Sequence, residues 1–260
     1  MHPLLHLGPI ELPTYGSIIF IGLVIGVLVA VFTSKKYNIE KLDIVLSTIL
    51  ASVGLIVGAK ILYLITVIPE IIRNISFVKG HVLETISYAF GGFVFYGGLL
   101  GALFGYWFYC KWFKIDLGKV LNIIAPVIPL VHAFGRIGCF MGGCCYGIEY
   151  HGKFAVQFPD NEFVSDLSAV PRFPVQLLEA LINFILFIVL ILIARKIHKR
   201  YSMLGLYLIC YAIIRFSLEF LRGDVERGIV LGVSTSQWIS LLLLPIGFYL
   251  MLRKDKKIDV

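Results

Sequence analysis

Seven apolar runs, each about 20 residues long and so long enough to cross a ~30 Å hydrocarbon layer as helix, recur along the chain. They fall at roughly 15 to 34, 43 to 66, 92 to 110, 118 to 138, 173 to 194, 203 to 221 and 231 to 252. Each predicts one membrane-spanning helix. The first run exceeds the ~7–15 residue core of a cleaved leader, so it is expected to be a retained span. The connections 67–91 and 139–172 exceed tight turns and are expected to form extracytoplasmic cap segments. The second is punctuated by Pro159, Pro171, Pro174, Gly142, Gly143, Gly147 and Gly152, a pattern of irregular backbone, which at membrane depth needs protein or a watery cavity beside it.

Composition agrees. Of 260 residues, 59% are hydrophobic and 15% charged, and the mean hydropathy is +0.91. One water-soluble core cannot hide that much apolar surface. The expected fold class is all-α: a polytopic membrane protein with seven transmembrane helices and a small extracytoplasmic head, 1–260 forming a single integral membrane domain.

Basic residues set the expected orientation, because cytoplasmic loops retain lysine and arginine. Fourteen of the 23 follow odd-numbered runs: Lys35, Lys36 and Lys41; Lys111, Lys114 and Lys119; Arg195, Lys196, Lys199 and Arg200; Arg253, Lys254, Lys256 and Lys257. On the other side Arg73, Lys79, Lys153, Arg172, Arg222 and Arg227 are diluted by Glu70, Glu84, Glu149, Asp160, Glu162, Asp166, Asp224 and Glu226. The amino terminus is therefore expected outside and the carboxyl terminus in the cytoplasm. The net charge of +7 is distributed as an anchor to anionic head groups; no nucleic-acid partner is expected.

Charge inside the apolar runs needs a reason, since an ionisable side chain there costs from ~3 to well over 10 kcal/mol. Lys60, Arg136, Arg215 and Arg222 are the basic residues concerned. Lys60 has a stem that can snorkel, and Arg215 stands four residues before Glu219, close enough on one helical face to pair for assembly alone. The functional alternative is an anion: a guanidinium donates two parallel hydrogen bonds to phosphate oxygens and keeps its charge when desolvated. In a membrane the obvious phosphate is a phospholipid head group. The small residues Gly97, Gly98, Gly101 and Gly105 suit a close helix–helix seam, with Gly97 and Gly98 also open to close approach by a head group.

The ordered segments L-G-P-I-E-L-P-T-Y-G (7–16), G-A-K-I-L-Y (58–63), F-Y-G-G-L-L-G (95–101), G-R-I-G-C-F (135–140), R-F-P-V-Q-L-L-E-A (172–180) and R-F-S-L-E-F-L-R (215–222) resemble the prolipoprotein diacylglyceryl transferases of bacterial plasma membranes. The resemblance covers most of the chain. It implies transfer of the diacylglyceryl group of phosphatidylglycerol to a lipobox cysteine of a preprolipoprotein, with release of glycerol phosphate and no cofactor. It assigns Arg136 to holding phosphatidylglycerol and Arg215 with Glu219 to a functional pair, and matches Tyr15 and Gly147 to residues of the lipid site, where Lys60, Gly97, Gly98, Cys139 and Arg222 are also expected.

The departures bear on catalysis. Tyr96 stands where the family usually has histidine, and an ordinary phenol, titrating near ~10, is a poor base. His132, one turn before Arg136, is a substitute, although a packing histidine is the plainer reading. Cys139 replaces an asparagine, Cys144 a glutamate, and Lys60 an arginine. Cys110 and Cys210 read as packing residues. Cys139, Cys144 and Cys145 have the spacing C-x4-C-C, which lacks the paired clusters of common zinc sites; no metal is expected. A disulfide from Cys139 to one of the other two is open, as is a nucleophilic or carrier role for Cys144 beside Arg136. The alternatives are a related lipid transferase with another donor or thiol acceptor that uses this cysteine cluster, and a non-catalytic lipid-binding or transport protein.

Overall fold

A computed structural model describes residues 4–7, 10–73, 80–160, 167–194, 196–197, 199–223 and 228–253. Lys79, Glu162, Asp166, Arg195, Asp224, Glu226, Arg227, Lys254, Lys256 and Lys257, named above for charge, lie outside the described residues. Nine helices carry the described fold: α1 Thr14–Ser34, α2 Lys41–Arg73, α3 Val82–Gly91, α4 Phe95–Trp112, α5 Leu117–Ile124, α6 Val127–Gly142, α7 Val175–Ala194, α8 Ser202–Leu218 and α9 Thr235–Leu252. Among the described residues six spans, with α5 and α6 counted as one and α8 extended to Leu221, are long and apolar enough to cross a membrane. The pair α3 and α4, bent by 61°, makes a seventh if counted as one. The strands among the described residues are two short hairpins, β1 Leu4–Leu7 with β2 Ile10–Pro13, and β3 Ile229–Val230 with β4 Val233–Ser234.

The expected spans are present with two changes. The run at 118 to 138 is broken between α5 and α6 at Ala125 and Pro126, because proline has no amide hydrogen to continue the ladder. The connection 67–91 is largely helical, since α2 continues through Pro69 to Arg73 and α3 occupies its second half. The connection 139–172 begins with the end of α6 and, apart from one 3-10 turn at Leu167–Ala169, is irregular among the described residues, tied by isolated bridges from Glu149 and Val156 to Arg172.

The chain divides into two compact units, Ile39–Leu117 and the remainder. In the first, α2 and α4 meet through glycine. A methyl group added at Gly101 would lie 2.0 Å from the Gly54 carbonyl oxygen, and one at Gly97 2.3 Å from that of Gly58, so the two backbones are in contact as in small-residue membrane seams. In the second unit α1 packs on α6, with Gly22 against Phe134 and Gly26 against Val127; α6 packs on α7, and α8 pairs with α9. Buried Asn122 joins α5 to the start of α8, donating to the Lys199 carbonyl (2.7 Å) and accepting from the Met203 amide (3.1 Å). Around that joint Ala125, Leu186, Leu190, Ala194, Met203 and Tyr207 form an apolar core.

Candidate functional site

Helix α7 is apolar except for one stripe, Gln176, Glu179 and Asn183, whose spacing of three and four residues places all three on one face. All three are buried. Glu179 meets α6: its Oε1 lies 3.0 Å from Arg136 Nη2 and 3.3 Å from His132 Nε2. Its Oε2 is buried without a hydrogen-bond partner among the described residues. Arg136 Nε also lies 3.3 Å from His132 Nε2. That nitrogen has one position to offer: unprotonated it accepts from Arg136, and protonated it donates to Glu179. A proton taken up by His132 therefore exchanges a guanidinium partner for a carboxylate that stabilises the new charge.

Arg215, buried near the end of α8, forms an ion pair between Nη2 and Glu219 Oε2 at 2.8 Å and donates from Nη2 to Ser236 Oγ at 2.9 Å. Ser236 sits in the first turn of α9, held by a capping box between Ser234 and Gln237. Arg215 Nη1 is buried without a partner among the described residues. Glu179 lies in the field of both Arg136 and Arg215. Each arginine has its own carboxylate, Arg136 with Glu179 and Arg215 with Glu219, because an uncompensated buried charge is too costly.

The thiols cluster where α6 ends. Gly143 (φ 71°) and Cys145 (φ 56°) adopt left-handed backbone, turning the chain so that the Cys144 amide donates to the Cys139 carbonyl at 3.1 Å. Gln176 Nε2 holds the turn from α7 through the Cys144 carbonyl at 2.8 Å. The three cysteines are free, and their sulfurs lie within 4.8 Å of one another; no disulfide joins them. Hydrogen bonds from the Cys139 and Cys144 thiols, with the nearby Arg222 and Arg136 guanidinium groups, hold the Cys145 thiol far below its ordinary value.

Gly147 is a structural knot. Its amide donates to the Phe173 carbonyl (3.1 Å), its neighbour Ile148 donates to the Leu221 carbonyl (3.1 Å), and it bridges to Arg222. An added methyl group would lie 2.3 Å from Phe173 O and 2.9 Å from Leu221 O. Tyr15 packs its ring and backbone against Gly138 and lies in the field of Arg136 and the three thiols. Tyr15, His132, Arg136, Cys139, Cys144, Gly147, Arg215, Glu219 and Arg222 are thus all in one unit.

Lys60, Tyr96, Gly97 and Gly98 belong to the other unit. Lys60 donates to the carbonyls of Phe90 (2.6 Å) and Gly92 (3.0 Å) and lies over the Phe93 ring, so it braces the bend between α3 and α4. Gly97 and Gly98 face α2. Tyr96 is 45% exposed with its ring edge-on to Phe95. Glu179 is the residue that the sequence reading passed over, although it stands inside R-F-P-V-Q-L-L-E-A; an acid in an apolar helix, flanked by Gln176 and Asn183 at helical spacing, was the available signal.

Residues 2–253 match the family model described as prolipoprotein diacylglyceryl transferase. The chain is 35% identical over 235 residues to the phosphatidylglycerol–prolipoprotein diacylglyceryl transferase of Clostridium tetani, covering 90% of each chain. It is 33% identical over 244 residues to the second such protein of Clostridium perfringens (93% of this chain, 90% of the relative), and 27% identical over 259 residues to that of Rickettsia felis (96% and 95%).

Proposed function

Because this chain belongs to the prolipoprotein diacylglyceryl transferase family, we propose that it transfers the diacylglyceryl group of phosphatidylglycerol to a cysteine thiol of a preprolipoprotein and releases glycerol phosphate. The names of its relatives support both donor and acceptor. The observation that carries the reading to named residues is the cluster of Arg136 and His132 on the buried Glu179, in the field of a buried Arg215 with an unused donor.

In the reaction the acceptor S–H bond breaks, a sulfur–carbon bond forms, and the carbon–oxygen bond to phosphate breaks. His132 takes the thiol proton, turning from Arg136 to Glu179 as it does so; Arg136 and Arg215 donate to the departing phosphate, a task suited to preorganised donors in a dry site. Gly147 and Arg222 hold the segment that carries the thiols. The basic residues after odd-numbered spans support a site on the outer face of a bacterial plasma membrane, with the amino terminus outside, the carboxyl terminus in the cytoplasm and 139–172 as a cap.

The test uses full-length protein in detergent, phosphatidylglycerol labelled in its head group, and a lipobox peptide. Labelled glycerol phosphate is expected with the cysteine peptide and not with its serine analogue. Head-group binding without release would reject transfer and favour a lipid-binding protein.

A further inference from the structure

The sulfurs of Cys139, Cys144 and Cys145 come from a helix end and the reversed turn that follows it, so they converge although their spacing is not that of a common zinc motif. A tetrahedral zinc ion sits about 2.3 Å from each thiolate, which places sulfurs about 3.8 Å apart; sulfurs already within 4.8 Å of one another need only small side-chain rotations to reach that geometry. The backbone that would carry them is held from three sides. The Cys144 amide is bonded to the Cys139 carbonyl, Gln176 grips the Cys144 carbonyl, and Gly147 is clamped to Phe173. Three thiolates around a divalent cation leave one negative charge, and Arg136 and Arg222 both act on Cys145 to balance it. Burial grades from Cys139, inside, to Cys144, exposed, so the side without a protein ligand is the accessible one.

We propose that Cys139, Cys144 and Cys145 bind one zinc-class divalent cation, whose fourth coordination position receives the thiol of the acceptor substrate. The first half concerns metal binding alone; the second rests on the transfer reading. On coordination the acceptor's S–H bond breaks, a sulfur–metal bond forms and the proton passes to the base. A coordinated thiol is deprotonated outright, so the metal supplies the activated sulfur and His132 is left to accept the proton. Three protein ligands with one open position is the arrangement of catalytic rather than structural zinc.

The experiment starts from full-length protein in detergent with its thiols reduced. Metal analysis of the protein as purified, followed by titration with Co2+, should show one cation per chain and a thiolate-to-cobalt charge-transfer band that Zn2+ abolishes. Cys144→Ser and Cys145→Ser, at accessible positions that spare the helix, should each weaken Co2+ binding more than about tenfold, since even losing an outer partner of a ligand costs that much. A cysteine lipobox peptide should change the cobalt d–d spectrum and its serine analogue should not. Absence of stoichiometric Co2+, an unchanged band in both serine variants, or a disulfide among the three in the protein as purified would overturn the site. A spectrum indifferent to the cysteine peptide would overturn its role in acceptor binding. Metal binding in a protein that releases no glycerol phosphate would instead reject the transfer reading and leave the metal site standing.

Discussion

Glu179→Gln removes one charge and no volume from the centre of the site. In the wild type the carboxylate is 2% exposed and lies 3.0 Å from Arg136, itself 12% exposed, so the substitution strands a buried guanidinium. Removing one partner of a buried pair costs about 3 to 5 kcal/mol. Glutamine keeps one oxygen to accept from Arg136, which brings the expected loss toward the lower end, about 3 kcal/mol. If the same interaction also aims Arg136 and His132 at the reactants, a comparable loss in the transition state lowers the transfer rate by about 100-fold, at 1.36 kcal/mol per factor of ten. Initial rates of glycerol phosphate release give the catalytic loss, and denaturant unfolding in detergent gives the stability loss. Arg136→Gln with Glu179→Gln should recover stability relative to Glu179→Gln alone, because no uncompensated charge is left, but should not recover transfer. A Glu179→Gln protein with transfer within threefold of wild type would refute the reasoning, as would a double variant no more stable than the single one.

His132→Gln keeps a polar side chain but cannot accept and hold a proton; kcat should fall by about 100-fold, within the range of general-base catalysis, with little change in KM, as read from initial rates against peptide concentration. Gly147→Ala forces a methyl group against two backbone carbonyl oxygens, at 2.3 and 2.9 Å; a loss at or above the upper end of about 1 to 3 kcal/mol is expected, seen as a lower thermal midpoint in detergent. Gly101→Ala should have a similar effect through the α2–α4 seam, where the new carbon would lie 2.0 Å from Gly54 O; unchanged thermal stability would refute that contact.

The spans were legible because the hydrocarbon thickness, a property of the solvent, sets their length, and any helix that satisfies it leaves a run of about 20 apolar residues. The Arg215–Glu219 pair was legible for a similarly local reason, four residues being about one helical turn. What failed was whatever depends on a second element. The carbonyls that hold Lys60 belong to the bend after α3, and nothing in G-A-K-I-L-Y announces them. Glu179 was overlooked because it was read as part of a family-resembling segment and not as an acid inside an apolar helix, where it needs Arg136 from α6. That the three thiols could meet was legible, but C-x4-C-C describes separation along the chain, whereas the left-handed turn at Gly143 and Cys145 decides their arrangement in space. The carbonyls of Phe173 and Leu221 that crowd Gly147 come from other segments and leave no mark in its own sequence.

The account stands or falls on whether Arg136 and its partners support transfer to a thiol. The most direct measurement is mass spectrometry of a lipobox-bearing acceptor from bacterial cells whose only diacylglyceryl transferase is this chain. A diacylglyceryl group on the acceptor cysteine with the wild type, and an unmodified cysteine with an equally abundant Arg136→Ala protein, is the predicted result. An unmodified acceptor beside abundant, folded wild-type protein, or full modification by Arg136→Ala, would contradict it.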